Sequence, residues 1–512
     1  MPSPLPRSSS RTAPTSLPAG VVVLTTVVAT LLATLLVSPV ASAASTSPPT
    51  ARAVRAGHPV RARAHSAPKT VKSKPAKPPV VPGQPRANYV IPATSFFSFP
   101  NRSAAERLAI RNRVLRTIQS TWGGRRTPRG LARRGNGTIR ITTWSFADWG
   151  VARALVAARN RGVSVQVVAA TSANTDHRPW KWLVRHLGRR LYQPGAPQTR
   201  DLTSFARECR GACRGPGGTP HAKYFLFDNV GAAHARNIVV QTSMNLTDMA
   251  YSGQWNQAQV VHGRRVYDDF LTVFRQARIG RPVGTPYRVT SLGRIADYFF
   301  PRPGATAATD PVMQILGRTG CRGATGGGTR ADRTRIRIVQ YALYGDRGLW
   351  IAKRLRFLWG RGCDLKIIYT VSSRAVLSVL ESRSGRGPIP MRQSLVRDAY
   401  GNIVQYNHSK WMTITGRWAG SPASYLVFSG SANWANLAFG DDEQMQRILG
   451  RSVVLRYLTT FAKTWHQRSS SPAPVPRALA MGRVVGSAPW DVSGSGGDPQ
   501  FGQRTYRYLP ED

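Results

Sequence analysis

Acidic residues are scarce in this chain. Only 23 Asp and Glu accompany 72 Lys and Arg among 512 residues, a formal charge of +49, and the first carboxylate is Glu106. That imbalance excludes a polyanionic surface built to gather cations, and it favours anionic partners such as nucleic acid, anionic lipid or wall polymers. Long apolar runs are also few: AGVVVLTTVVATLLATLLV at 19–37 stands alone. Arg7 and Arg11 precede it and Ala41, Ser42 and Ala43 follow, the order of a secretory signal peptide over 1–43. A retained anchor is the alternative, since the run is long enough to span a bilayer. The remainder is expected to be exported and soluble.

Cysteine is limited to Cys209, Cys213, Cys321 and Cys363. Three pairings are open. Export permits disulfides, and Cys209–Cys213 with Cys321–Cys363 is preferred. A zinc site is the weaker reading, because the spacing is C-x3-C and no second such pair exists. No metal or other cofactor is called for.

Residues 44–86 are rich in Ala, Ser, Pro, Arg and Lys, with eight basic residues between Arg52 and Lys77. They read as a disordered basic linker. Residues 469–512 read as a Pro/Gly-rich linker and tail. Between them lies a pattern that occurs twice. TIRITTWSF at 138–146 alternates like a strand, DWGVARALVAARNRG follows as a helix capped by Asp148 and stopped by Gly162, and VSVQVVAA returns as a strand. TRIRIVQYAL, GLWIAKRLRFLWGRG and CDLKIIYTV repeat this order from 334 onward. An internal duplication of α/β lobes follows, over 87–300 and 301–468.

Each lobe then carries His-x-Lys and, 22 or 23 residues after the histidine, Ser-x-Asn: His221, Lys223, Ser243 and Asn245, then His408, Lys410, Ser431 and Asn433. A lone His-x-Lys is ordinarily a surface or packing feature; two in matching settings suggest two halves of one site. Positions i and i+2 of a strand share a face. Each set therefore offers an imidazole, an ammonium, a hydroxyl and an amide to one spot. Two facing sets would surround a tetrahedral phosphoryl group, with lysines and amides taking the charge work and the histidines serving as nucleophile and acid/base. A histidine base also needs an acceptor on its other ring nitrogen. Glu443, with Asp442 as its rival, is the candidate in the second half, and Asn256, with Gln257 and Gln259 as alternatives, in the first. Asp228 lies at opposite strand parity and reads as a support residue; the second copy has Thr415 there.

HAKYFLFDN and NHSKWMTITG, with TSMN and GSAN, resemble the phospholipase D superfamily and in particular its secreted actinobacterial members. The resemblance covers residues 90–465 and departs at Thr415, and at Thr242 where the second copy has Gly430. It implies a two-lobed α/β fold, a covalent phosphohistidine at His221, acid/base work by His408, phosphate contacts from Lys223, Lys410, Asn245 and Asn433, and orientation by Glu443. The expected activity is hydrolysis of glycerophospholipids to phosphatidic acid and a head-group alcohol, by a monomer in peripheral contact with anionic membrane or cell wall. A metal-independent nuclease, another phosphodiesterase or transphosphatidylase, and an inactive binding protein are the alternatives. The aromatics near the motifs, Trp144, Phe146, Trp149, Tyr341, Tyr344 and Trp411, suit either lipid chains or ordinary core.

Overall fold

The computed structural model describes residues 83–124, 135–191, 201–398 and 403–467. The expected signal peptide, nearly all of the basic linker and the C-terminal tail lie outside the described residues.

In the first half, Thr138–Thr142 and Ser164–Ala170 form parallel neighbours joined by the helix Trp149–Asn160. The Asp148 side chain caps that helix by accepting the Val151 N–H at 3.0 Å, and two Arg111 nitrogens hold the carboxylate. Gly162 ends it at φ +96°, where a Cβ would lie 2.1 Å from the Gly124 carbonyl oxygen. Only glycine turns the chain there. The sheet continues from Thr138–Thr142 through Tyr224–Asp228, Ile238–Thr242 and Gln254–His262, all antiparallel, and from Ser164–Ala170 to Phe205–Cys209.

The second half repeats this order strand for strand. Met391–Gln393, Asp364–Ser372, Arg335–Leu343, Lys410–Trp418, Ser421–Gly430 and Gln444–Leu449 lie side by side in that sequence. The registers agree as well. Thr138 pairs with Asp228 in one sheet, and Arg335 pairs with Thr415 in the other. The two α/β lobes are therefore structural copies, as the sequence repeat implied. Apolar alternation fills each interior: Ile139, Ile141, Val165 and Val167 in one half, and Ile336, Ile338, Leu365 and Ile367 in the other.

The lobes do not divide cleanly at residue 300. The hairpin Arg288–Leu292 and Ile295–Phe299 was assigned to the first lobe but pairs with Gln444–Leu449 of the second sheet. Ile403–Asn407, assigned to the second lobe, runs parallel to Gln254–His262 of the first. The two crossovers extend each sheet beyond Gln254–His262 and Gln444–Leu449 with strands from the other half.

Cys209–Cys213 and Cys321–Cys363 are both disulfides. The second closes a loop ten times longer, spanning 42 residues against 4. Loop-closure entropy then assigns about 4 kcal/mol to Cys321–Cys363 and about 2 kcal/mol to Cys209–Cys213. Denaturant melts of C321A/C363A are expected to show the larger loss of stability; equal losses would contradict the loop-length account.

Candidate active site

The two His-x-Lys segments lie against the opposite half. The His221 N–H donates to Asp442 O at 2.9 Å, and the Asp442 N–H donates to Thr219 O at 2.9 Å. In the other direction, the His408 N–H donates to Trp255 O at 3.0 Å, and the Tyr406 N–H donates to Gly253 O at 2.9 Å. Each histidine is thus fixed in position by backbone belonging to the other lobe's sheet. Each lysine folds back on its own histidine, with Lys223 Nζ donating to His221 O at 2.7 Å and Lys410 Nζ to His408 O at 2.6 Å. Both approaches lie at the entrance to a strand, since His221 and Lys223 precede Tyr224–Asp228 and His408 precedes Lys410–Trp418, so the expected face-sharing within a strand does not place them.

The ring partners are exchanged in the same way. Sequence proximity paired Glu443 with the second-half histidine and Asn256 with the first. The structure reverses both. His221 Nδ1 lies 2.7 Å from Glu443 Oε1, and His408 Nδ1 lies 3.3 Å from Asn256 Oδ1. The Asn256 Nδ2 group donates to Ala250 O at 3.1 Å, so Oδ1 is the atom turned toward the ring. Both imidazoles therefore carry hydrogen on Nδ1 and a lone pair on Nε2.

Ser243 and Ser431 are corrected too. They were expected to donate to the phosphoryl group. Instead the Ser243 hydroxyl donates to Asn256 Oδ1 at 2.7 Å and the Ser431 hydroxyl donates to Glu443 Oε2. They hold the groups that hold the histidines. Asn245 and Asn433 are buried in the segments just beyond Ile238–Thr242 and Ser421–Gly430. Asp442 does not compete for a histidine, because its carboxylate accepts from the Cys213 N–H. Asp441 accepts from the Thr219 N–H at 2.8 Å. Three successive carboxyl groups of the second half thus serve three groups of the first. Burial pushes Asp441 well up and Asp442 up to about 7.

Asp228 lies outside the pocket. It ends the strand Tyr224–Asp228, half-buried, with Arg236 Nη1 at 4.0 Å. It lies five residue steps from Lys223, about 16 Å of extended chain. Its counterpart Thr415 is buried and donates to Gly327 O at 2.7 Å. This departure from the motif belongs to a loop contact at the far end of the strand.

Gln257 and Gln444 have a role that the sequence reading missed. Both are fully buried. Gln257 Oε1 accepts the Lys410 N–H at 3.2 Å while its Nε2 donates to Gly430 O at 2.9 Å. Gln444 Nε2 donates to Lys223 O at 3.0 Å. Each clamps the lysine strand of the other half. The signal was present as Asn256-Gln257-x-Gln259 and Glu443-Gln444-x-Gln446, a second repeat at equivalent places. Gln259 itself accepts from the Ser95 hydroxyl at 2.7 Å, away from either histidine.

Aromatic rings complete the lining. Trp144 meets His221 edge-on at 5.8 Å with Lys223 Nζ 5.8 Å from its ring; Tyr341 meets His408 at 4.7 Å with Lys410 Nζ at 4.6 Å. Trp411 and Trp434 are core, Trp411 packing on Tyr457 at 5.1 Å.

Burial is the main cause that lowers His221 to about 4; Glu443 opposes it, and Lys223 and Lys410 reinforce it. Burial also drives His408 well below the ordinary histidine value, helped by Lys410, Lys223 and His221. Both rings feel both lysines, so the four groups converge electrostatically. Both histidines are neutral at pH 7. A depressed histidine contributes stability that is present above pH 6.5 and is lost as pH falls toward the folded value.

Residues 132–278 match the family described as cardiolipin synthase, PLD-like domain. This PLD-like match spans His221 and Lys223, just before the strand Tyr224–Asp228, and Asn256 in the strand Gln254–His262. No curated protein matches the chain. Among solved structures, phosphatidylserine synthase from Haemophilus influenzae Rd KW20 is 12% identical over 75% of this chain and 88% of its own, with a TM-score of 0.46. Polyphosphate kinase from Porphyromonas gingivalis is 13% identical over 75% of this chain at TM-score 0.45, and this chain spans 54% of its length. Nuc from Salmonella typhimurium, a phospholipase D family member, is 18% identical over 34% of this chain and 94% of its own, at TM-score 0.23.

Imidazole NMR titration is expected to place the His221 midpoint near pH 4. K410M should move the His408 midpoint upward, because the lysine charge opposes protonation. An unmoved His408 midpoint would show that Lys410 does not act on that ring.

Proposed function

We propose that this protein is a phosphodiesterase working through a phosphohistidine, with glycerophospholipids as its substrates. The observation that carries the reading is the crossed pair: two histidines, each held at Nδ1 by the other half, beside two lysines whose charges act on both rings. The lysines draw a phosphodiester anion between them. His221 Nε2 attacks phosphorus, the bond to the head-group oxygen breaks, and His408 delivers the proton to the leaving alcohol. An incoming water then gives its proton to His408 and its oxygen to phosphorus, which breaks the P–N bond. An alcohol in place of water gives head-group exchange.

His221 takes the nucleophilic role because the Glu443 carboxylate at Nδ1 stabilises the positive ring that forms on attack. His408 must be protonated for the first step, and a bound phosphodiester anion favours that form. The lipid substrate is supported by the cardiolipin synthase description of the matched family. The charge of +49 favours nucleic acid as the competing substrate. Export is part of the proposal, and two disulfides suit an oxidising compartment.

Purified protein on phosphatidylcholine and on single- and double-stranded DNA, with chelator present, tests the substrate. Choline release is expected, reduced roughly 10²–10⁴-fold in H408A and abolished in H221A. DNA cleavage without lipid turnover would reverse the ranking, and loss of all turnover with chelator would refute the lysine-based mechanism. A nitrophenyl phosphodiester needs no acid for departure. On it, H408N is expected to accumulate a phosphoenzyme and H221N none; the opposite result would exchange the two roles.

A further inference from the structure

Beside the site, the first half exposes a pair of tryptophans among cations. Trp149 is 39% exposed and meets the half-buried Trp182 edge-on at 5.9 Å. Trp149 opens the helix that follows the segment bearing Trp144, the residue against His221. Trp182 lies on the helix Arg178–Leu187, whose Trp180, Leu183, Val184 and Leu187 face inward. Asn174 ties the two approaches together by accepting the Phe146 N–H at 2.7 Å and donating to Trp144 O at 2.8 Å and Ala170 O at 2.6 Å. Both helices start from the end of the sheet at which Thr142 pairs with Tyr224, and His221 precedes Tyr224 at that same end.

The outward residues of that helix are Arg178, Lys181, Arg185 and His186, all exposed, and Arg153 stands exposed beside Trp149. The acid that faces them is Asp176, itself exposed and 4.0 Å from Lys181. The patch suits a negatively charged partner. The ring faces decide which kind. Arg153 lies over Trp149 at 5.4 Å, and His186 stacks on Trp182 with centroids 3.9 Å apart. Nucleobases bind by stacking on open aromatic faces, and here each indole already has a side chain over one face. A partly exposed tryptophan pair set among cations matches the headgroup zone of a bilayer instead.

We propose that Trp149, Trp182 and the cationic face of Arg178–Leu187 form a docking surface for an anionic lipid bilayer, holding the mouth of the site at the headgroup level. This rests on the phospholipid reading above and adds the surface through which the substrate is met.

The test uses the full chain carrying H221N, so that lipid is bound without being consumed. Co-sedimentation with vesicles of equal phosphatidylglycerol and phosphatidylcholine is compared between this parent, R178S/K181S/R185S and W149S/W182S. About tenfold or greater weakening is expected for the charge variant, with binding of a single-stranded oligonucleotide changed less. The same substitutions with His221 intact should leave turnover of monomeric dioctanoyl phosphatidylcholine within twofold, which separates docking from folding and chemistry. Vesicle binding by both variants within twofold of the parent overturns the proposal, and so does a selective loss of oligonucleotide binding. Absence of monomeric phospholipid turnover by the unsubstituted protein would overturn the substrate reading alone, because vesicle partition is measured without catalysis.

Discussion

Each histidine of this protein is held by the half of the chain that does not contain it. Backbone bonds from Asp442 and Trp255 place the two segments, Glu443 and Asn256 aim the rings, and Gln444 and Gln257 secure the lysine strands. Buried polar groups of this kind are costly unless every member is satisfied. Docking of the lobes is therefore the step that supplies the partners named here, and the same step brings the candidate site residues together. Fold stability and site geometry share these bonds, so a shift between lobes disturbs both.

The scarcity of acid has its effect here. Two lysines sit beside the part-buried His221 and the buried His408, and the carboxylate in contact with His221 is Glu443. Burial and the lysine charges keep both rings neutral in the unliganded site. The carboxylate on one ring and the amide on the other make two copies of one design chemically unequal. That inequality shows in their basicity, because the Glu443 charge opposes the depression at His221 and the neutral Asn256 brings no such charge to His408.

Much of this was legible in the sequence because repetition filters chance. The strand–helix–strand units, the glycines ending their helices and the His-x-Lys and Ser-x-Asn sets all lie in local patterns. What failed was assignment across the lobes. Glu443 is close in sequence to Asn433 and so was matched to His408, but strand pairing carried it to His221. Ser243 and Ser431 were read as phosphate donors because spacing gives the face a residue shares and not the partner it finds there. Asp228 and Thr415 occupy matching registers yet lie some five residues down the strand from chemistry. The hairpin at 288–299 changed sheets because edge pairing is decided in three dimensions.

The exchange also bears on ancestry. A single half, standing alone, would hold a histidine with no acceptor behind it, whereas two identical copies related by a two-fold axis would each supply the other. Such a pair is bound to remain symmetric, since any substitution appears twice. Joining the copies in one polypeptide lifts that restriction. Glutamate opposite asparagine, and aspartate opposite threonine, are differences that a fused chain can hold and a homodimer cannot.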